Sequence, residues 1–141
     1  MRWSFSQFGE DLAVLRWAKI LGIERGLYVD VGAFHPILCS NTHALWRKNW
    51  RGVNIDMIAA RIGEFERIRP GDFNLATAVS DVAGEVIALR YAGEATDRLA
   101  GPGETCQTSV VGESPRASET VSALTLDAVL DQCPFDIERI D

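Results

Sequence analysis

The segment LYVDVGAFHPILCSNT, residues 27–42, constrains the fold of this chain more than any other. It begins with a short apolar, β-branched run that has the length and composition of a buried strand. Asp30 and Gly32 stand where this strand should stop, and Ser40 and Asn41 are N-cap candidates for a following helix. A strand, a glycine turn and a helix start in this order predict a ligand site. The glycine lets a ligand approach the backbone, and the helix start offers free N–H donors.

Composition and charge indicate an ordinary globular protein with one domain, residues 1–141. Hydrophobic residues make up 47% of the chain and charged residues 24%. The net charge of −6 disfavours nucleic acid as the main partner. No apolar run approaches the ~20 residues of a membrane span, and the N-terminus lacks a signal pattern. We therefore expect a cytoplasmic protein with neither a nucleic acid nor a membrane as partner.

The three cysteines, Cys39, Cys106 and Cys133, are odd in number and widely spaced. They support neither a disulfide framework nor a CxxC metal site, so we expect reduced, structural cysteines. His35 and His43 lie near Cys39, but their spacing matches no zinc signature and a fourth ligand is lacking. We expect no bound metal.

Hydrophobic periodicity predicts alternating helices and strands in the first half of the chain. The predicted helices cover residues 7–21, 42–49 and 58–68, and the predicted strands cover residues 27–31, 53–56 and 73–80. Gly52 is expected to mark the end of the second helix. This order predicts an α/β fold with a mostly parallel sheet. Beyond it we expect a turn at Gly84, a half-exposed strand at 85–91, a patternless segment at 92–118, a strand near 120–125 and a last helix.

Polar residues follow three successive predicted strands: Asp30, Asp56 and the pair Ser80–Asp81. Ligands bind parallel α/β sheets outside the carboxyl ends of the strands, so we expect these residues to lie together. A carboxylate after the second strand can accept from both hydroxyls of a ribose, which suits Asp56. The glycine turn lacks the GxGxxG spacing for a diphosphate, and Asp30 would repel one but suits an ammonium group. S-adenosylmethionine, with a ribose and an amino-acid tail, therefore fits better than NAD.

The segments SQFGEDLAVL, YVDVGAFHPILCSNTHALWRKNWRGVNID, NLATAVSD and LTLDAVL resemble the FkbM-type methyltransferases. The resemblance spans residues 6–141 and implies a Rossmann-like class I methyltransferase fold with S-adenosylmethionine as cofactor. It implies that the glycine turn holds the methionine part, the acid after the second strand the ribose, and the segment after the third strand the adenine. The implied residues are, in that order, Asp30, Val31, Gly32 and Ala33, then Asp56, then Val79, Ser80 and Asp81. The first helix is similar too, which implies that Gln7, Glu10 and Asp11 lie near the cofactor or the substrate.

Each candidate residue also has a simpler interpretation. Asn41 is a further cofactor-binding candidate, or only a helix cap. His35 is a candidate general base for a methyl acceptor, or a turn histidine hydrogen-bonded to the backbone. Asp30 can simply end a strand, and Asp56 can cap the next helix. Glu10 and Asp11 can be surface acids that the helix dipole favours.

The resemblance implies O-methylation of a small-molecule acceptor, a sugar or a secondary-metabolite hydroxyl, with the segment at 92–118 selecting the acceptor. Two other classes remain open: a non-catalytic nucleotide-binding module or relic, and an oxidoreductase, which the missing GxGxxG disfavours. In the resembling family a fourth parallel strand lies beside the first, whereas this chain stops at CPFDIERID. We therefore expect an N-terminal portion of a longer enzyme or a truncated relic, which can self-associate through an unpaired strand edge.

Overall fold

Two β-sheets organise the part of the chain that the computed structural model describes, residues 3–91, 97–101 and 115–136. In chain order the elements are α1 (Glu10–Ile20), β1 (Leu27–Val31), α2 (His43–Trp46), β2 (Arg51–Asp56), α3 (Ala59–Ile68), β3 (Phe73–Ala76), β4 (Ala78–Val79), β5 (Gly84–Arg90), β6 (Arg98–Leu99), β7 (Ala117–Leu124) and α4 (Leu126–Leu130). The chain is thus a mixed α/β protein, as its periodicity predicts.

The first sheet is parallel and has the order β1-β2-β3. Its central strand, β2, is buried from Gly52 to Asp56, as expected for a strand with a neighbour on each side. Helices alternate with these strands along the chain, which confirms the predicted α/β arrangement of the first half. The second sheet is mixed, with the order β4-β7-β5-β6, and only its β4–β7 pair is parallel.

The prediction of one continuous third strand, residues 73–80, is wrong because the chain changes sheets at Thr77. The Thr77 N–H donates to the carbonyl oxygen of Asp56 at 3.1 Å. Its hydroxyl oxygen lies 3.2 Å from the carbonyl oxygen of Ser122 on β7. β3 therefore ends in the first sheet while β4 begins in the second, and the end of β2 faces the gap between them.

Three other boundaries differ from the sequence expectations. Helix α1 begins at Glu10 because its N-cap, Gly9, has a φ of +90°. Gly52 does not end a helix but lies within β2, opposite Tyr28 of β1. Gly84 is not in a turn but opens β5. The segment expected to lack a pattern contains β6 and the start of β7, and residues 92–96 and 102–114 lie outside the described residues.

The two faces of the first sheet differ in chemistry. Val53 and Ile55 of β2 pack with Val129 of α4 on one face. Tyr28 of β1 packs on the other face with Ala18 of α1, Leu45 of α2 and Trp50, which directly precedes β2. Because side chains alternate along a strand, Asp30, Asn54 and Asp56 share the face of Tyr28. These three polar residues therefore lie on one side of the sheet.

Candidate functional site

A cleft of about 190 Å³ lies at the carboxyl ends of β1 and β2. Its apolar wall includes Ile55, Met57, Val79 and Leu99, and its charged residues include Asp56, Arg61, Asp97 and Arg98. The glycine turn after β1 closes one side, and the start of β4 closes another. This is the edge of the parallel sheet at which sequence reasoning places a ligand.

The glycine turn offers space to a ligand. Gly32 has a φ of +75°, and a Cβ added there would meet no atom within 4 Å. The N–H groups of Gly32 and Ala33 both donate to the carbonyl oxygen of Ile55, at 2.8 and 3.0 Å. Because these donors fix the turn to β2, the turn does not offer its own N–H groups to a ligand. It supplies an open approach to the backbone instead.

Asp56 lies at the bottom of the cleft, where it is only 3% exposed. Its Oδ1 accepts from the N–H of Ile58 at 2.8 Å. Its Oδ2 accepts from the N–H of Phe34 at 3.0 Å and from Nη1 of Arg61 at 3.4 Å. Each carboxylate oxygen has two acceptor positions. Among the contacts of the described residues, Asp56 therefore keeps one position, on Oδ1.

Arg61 links Asp56 to a second buried acid. Its Nη2 lies 3.0 Å from Oδ2 of Asp97, and its guanidinium lies over the ring of Phe34, 4.7 Å from the centroid. Asp97 in turn pairs with Nε of Arg90 at 3.4 Å. Neither Arg61 nor Asp97 was predicted from the sequence as a site residue. The position of Arg61 could have been recognised from its spacing, since it lies five residues after Asp56 in the first turn of the next helix. Nothing in the sequence indicates Asp97, which lies in a segment without a pattern.

Asp30 lies half-buried on the same sheet face as Asp56. Its Oδ2 accepts from the hydroxyl of Thr42 at 2.8 Å. Burial raises the pKa of this carboxyl, and the nearby charge of Asp56 raises it further, whereas Thr42 and the Arg69 guanidinium act in the opposite direction. The folded protein therefore binds a proton at Asp30 more readily than the unfolded chain does.

We expect Asp30→Asn to stabilise the protein at neutral pH. A raised folded pKa means that stability falls as pH rises from the ordinary aspartate pKa of about 3.9 through the higher folded value. Asparagine has no such charge to desolvate, and its side-chain oxygen can still accept from Thr42. Urea denaturation should show the gain at pH 7 and its disappearance toward pH ~4. Exposed Asp131→Asn is the control, and a gain that is equal at both pH values would contradict this explanation.

Arg69, at the end of α3, fixes the segment that follows the glycine turn. The guanidinium is fully buried and donates from Nη2 to Ser40 at 3.0 Å and to the carbonyl oxygen of Pro36. Its Nη1 donates to Thr42 at 2.9 Å and to the Tyr28 hydroxyl at 3.4 Å. Sequence reasoning did not find this role, because a buried arginine has no periodic signal of its own.

The two candidates in this segment, His35 and Asn41, differ in their contacts. The Nδ1 atom of His35 accepts from the N–H groups of Ile37 and Leu38, both at 3.0 Å. In neutral His35 the proton is therefore on Nε2, which can donate but not accept. Asn41 is exposed, and Ser40 rather than Asn41 accepts from the first N–H of α2, that of His43, at 3.1 Å.

The remaining candidates lie away from the cleft lining. The Ser80 N–H donates to the carbonyl oxygen of Leu124, and its hydroxyl lies 3.1 Å from Oδ1 of Asp81, which is exposed. Of the segment after the third predicted strand, Val79 alone lines the cleft. The cleft lining therefore includes Val31, Gly32, Asp56 and Val79, but not Asp30, Ala33, Ser80 or Asp81.

The candidates at the start of α1 also lie apart from the cleft. Gln7 and Glu10 are exposed, and Glu10 accepts from the N–H of Phe8. Asp11 is fully buried. Burial would raise the pKa of Asp11, but donors from Phe5, Ser4 and Ser6 together hold it below its ordinary value. This carboxylate thus fixes the N-terminal segment.

Among the described residues, no group of three or more His, Cys, Asp or Glu side chains is arranged to hold a metal ion. Cys39 and Cys133 are free thiols, and Cys106 lies outside the described residues. Within the same ranges, no helix has the length and apolar character needed to cross a membrane. No protein-family model, no curated protein and no solved structure matches this chain.

Proposed function

We propose that the cleft binds S-adenosylmethionine and that the chain belongs to a methyltransferase that acts on a small hydroxylated acceptor. One observation carries the proposal: Asp56 and the open Gly32 turn meet in a single cleft at the carboxyl ends of parallel strands. The resemblance to FkbM-type methyltransferases and a Rossmann-like fold are part of this proposal.

The residues of the cleft fit the parts of this cofactor. Asp56 would accept from the ribose hydroxyls, since it has one acceptor position and gains a second if Arg61 moves. Met57, Val79 and Leu99 offer apolar surface for the adenine. Gly32 leaves room for the methionine part, and the nearby Asp30 carboxylate would attract its ammonium group.

Methyl transfer demands alignment more than proton chemistry. When bound, the cofactor supplies an activated methyl group, and the protein must hold the acceptor hydroxyl in line with it. Arg69 would contribute by fixing the Pro36–Thr42 segment beside the turn. His35 in its neutral form would orient an acceptor oxygen as an Nε2 donor rather than remove its proton.

A non-catalytic nucleotide-binding role is the second candidate. It is favoured by the position of His35, whose Nδ1 is already occupied by two backbone donors. Transfer of a labelled methyl group to any of a panel of sugars and phenols would favour the enzyme. Tight cofactor binding without transfer to any of them would favour the binding module.

We expect Asp56→Ala to weaken S-adenosylmethionine binding tenfold or more, measured by calorimetry. Hydrogen bonds to a charged acceptor are worth about 1.5–3 kcal/mol each, and the ribose would lose two of them. NAD serves as the comparison ligand and should bind weakly to every variant. Unchanged affinity in Asp56→Ala would contradict the proposal that Asp56 accepts from the ribose hydroxyls.

The controls separate binding from folding. Asp56 also accepts from the N–H groups of Phe34 and Ile58, so alanine disturbs the turn as well. These donors lie on different carboxylate oxygens, so Asp56→Asn retains an acceptor for one of the two, and it should still lose most of the affinity. Asp131→Ala removes an exposed carboxylate at the end of α4 and should bind as the parent chain does.

A further inference from the structure

We propose that Arg61 is a latch that occupies the diol-binding edge of Asp56 and sets the affinity and ribose selectivity of the cleft. This inference rests on the proposed function, because it concerns the same carboxylate. Arg61 lines the cleft, and its guanidinium contacts Asp56 and Asp97 at once.

The latch follows from the acceptor positions of Asp56. Its carboxylate has four positions, and Phe34, Ile58 and Arg61 fill three of them. The two backbone donors hold the glycine turn and the start of α3, so they stay. A vicinal diol needs two positions, and the contacts of the described residues leave only one while Arg61 is in place. A ligand that uses both hydroxyls must therefore displace Arg61.

The distances show which contact gives way. Arg61 lies 3.4 Å from Asp56 but 3.0 Å from Asp97, so the contact with Asp56 is the weaker one. Asp97 is nearly buried, and its other oxygen accepts from the Tyr91 N–H at 3.1 Å. This hydrogen bond holds the Asp97 carboxylate in place as a partner for Arg61. Arg61 can thus leave Asp56 while it remains paired with Asp97.

The size of the cleft agrees with a closed latch. Its volume of about 190 Å³ is below the ~300 Å³ at the lower end of ordinary ligand pockets. Arg61 lines the cleft with its guanidinium over the Phe34 ring, and its side chain is about a fifth exposed. Movement toward Asp97 would open the edge of the cleft next to Asp56.

The latch predicts a selectivity that a simple contact does not. A 2′-deoxyribose offers one hydroxyl, which can use the free position on Asp56 without moving Arg61. A ribose offers two and must displace the guanidinium. Removal of Arg61 should therefore help ribose ligands and leave deoxyribose ligands almost unaffected.

The experiment compares S-adenosylhomocysteine with its 2′-deoxy analogue by calorimetry on the full chain. Arg61→Met retains an apolar stem over Phe34 and should bind the ribose ligand roughly three- to tenfold more tightly than the parent chain. The 2′-deoxy analogue should gain less than about twofold. Asp97→Asn removes the negative charge of the alternative partner of Arg61 and should weaken ribose binding. Arg67→Met, on the same helix with a 69% exposed side chain, is the matched control and should change neither affinity.

The outcomes separate the latch from the cofactor assignment. Ribose affinity in Arg61→Met that equals or falls below that of the parent chain would overturn the latch while the cofactor assignment stands. An equal gain for both ligands would also overturn it, since that result reports only a larger cavity. If the parent chain and Arg67→Met bind neither ligand, the proposed function fails and the latch with it.

Discussion

Arg69→Ala is expected to lower the free energy of unfolding by about 3–5 kcal/mol, which is the range for removal of one partner from a buried charged network. The fully buried guanidinium contacts Pro36, Ser40, Thr42 and Tyr28, and all four lose a donor in the variant. Total stabilities of small domains are about 5–15 kcal/mol, so the variant should be largely unfolded in mild denaturant. Urea denaturation followed by circular dichroism measures the loss.

The carboxylates on both sides of Arg69 explain why the loss of stability in Arg69→Ala should be large. Tyr28 donates to Asp72 at 2.5 Å, and Thr42 donates to Asp30 at 2.8 Å. Arg69 donates to both hydroxyls and so lies between two acids, each one side chain away. Without Arg69 these negative charges stay buried or half-buried and lose the cation that lies between them. Burial and Asp72 both raise the pKa of the Tyr28 phenol, so it does not ionise in this network.

Arg67→Ala provides the matched control for Arg69. Arg67 lies two residues earlier on α3, is 69% exposed and pairs with Glu64 at the surface. Exposed ion pairs of this kind contribute at most about 1 kcal/mol, so we expect a change within ~0.5 kcal/mol. A loss below about 1 kcal/mol in Arg69→Ala would show that the hydroxyl groups find other partners, and it would refute the network as a major source of stability.

The parallel sheet could be predicted from the sequence because its signals are local. The run at residues 27–31 and the apolar periodicity of α3 each appear within a few consecutive residues. Asp30 and Asp56 follow from the same signals, since a strand end is visible once the strand is known. Their common face then follows from the parallel register of β1 and β2.

The parts that sequence reasoning missed depend on contacts between distant segments. The break at Thr77 arises because the residue bonds to Asp56 in one sheet and to Ser122 in the other, and its own neighbours show no sign of it. Arg69 contacts Thr42 and Tyr28, which lie 27 and 41 positions away from it in the sequence. Asp97 reaches Arg61 from 36 positions away, in a segment without periodicity. Such partners become visible only once the chain is folded.

Gly52 is another residue whose position depends on a distant contact, because its neighbours in the sequence suggest the end of a helix. In the fold it lies in the buried central strand, and the Tyr28 ring covers it. A Cβ added there would lie closer than 3.0 Å to two ring carbons and to the carbonyl oxygen of Tyr28. Rotation of the ring cannot relieve the backbone contact, and the ring is held through its hydroxyl by Asp72 at 2.5 Å.

We therefore expect Gly52→Ala to cost about 3 kcal/mol or more, at the upper end of the range for overpacked cores. Gly63→Ala is the matched control, because Gly63 lies in α3 and an added Cβ there meets nothing within 4 Å. Alanine is favoured over glycine in a helix by about 0.8–1 kcal/mol, so this control should stabilise the chain. The same methyl group should thus have opposite effects at the two positions in urea denaturation. If Gly52→Ala is no less stable than the parent chain, β1 and β2 do not pair in this register, and the shared face of Asp30 and Asp56 must be reassigned.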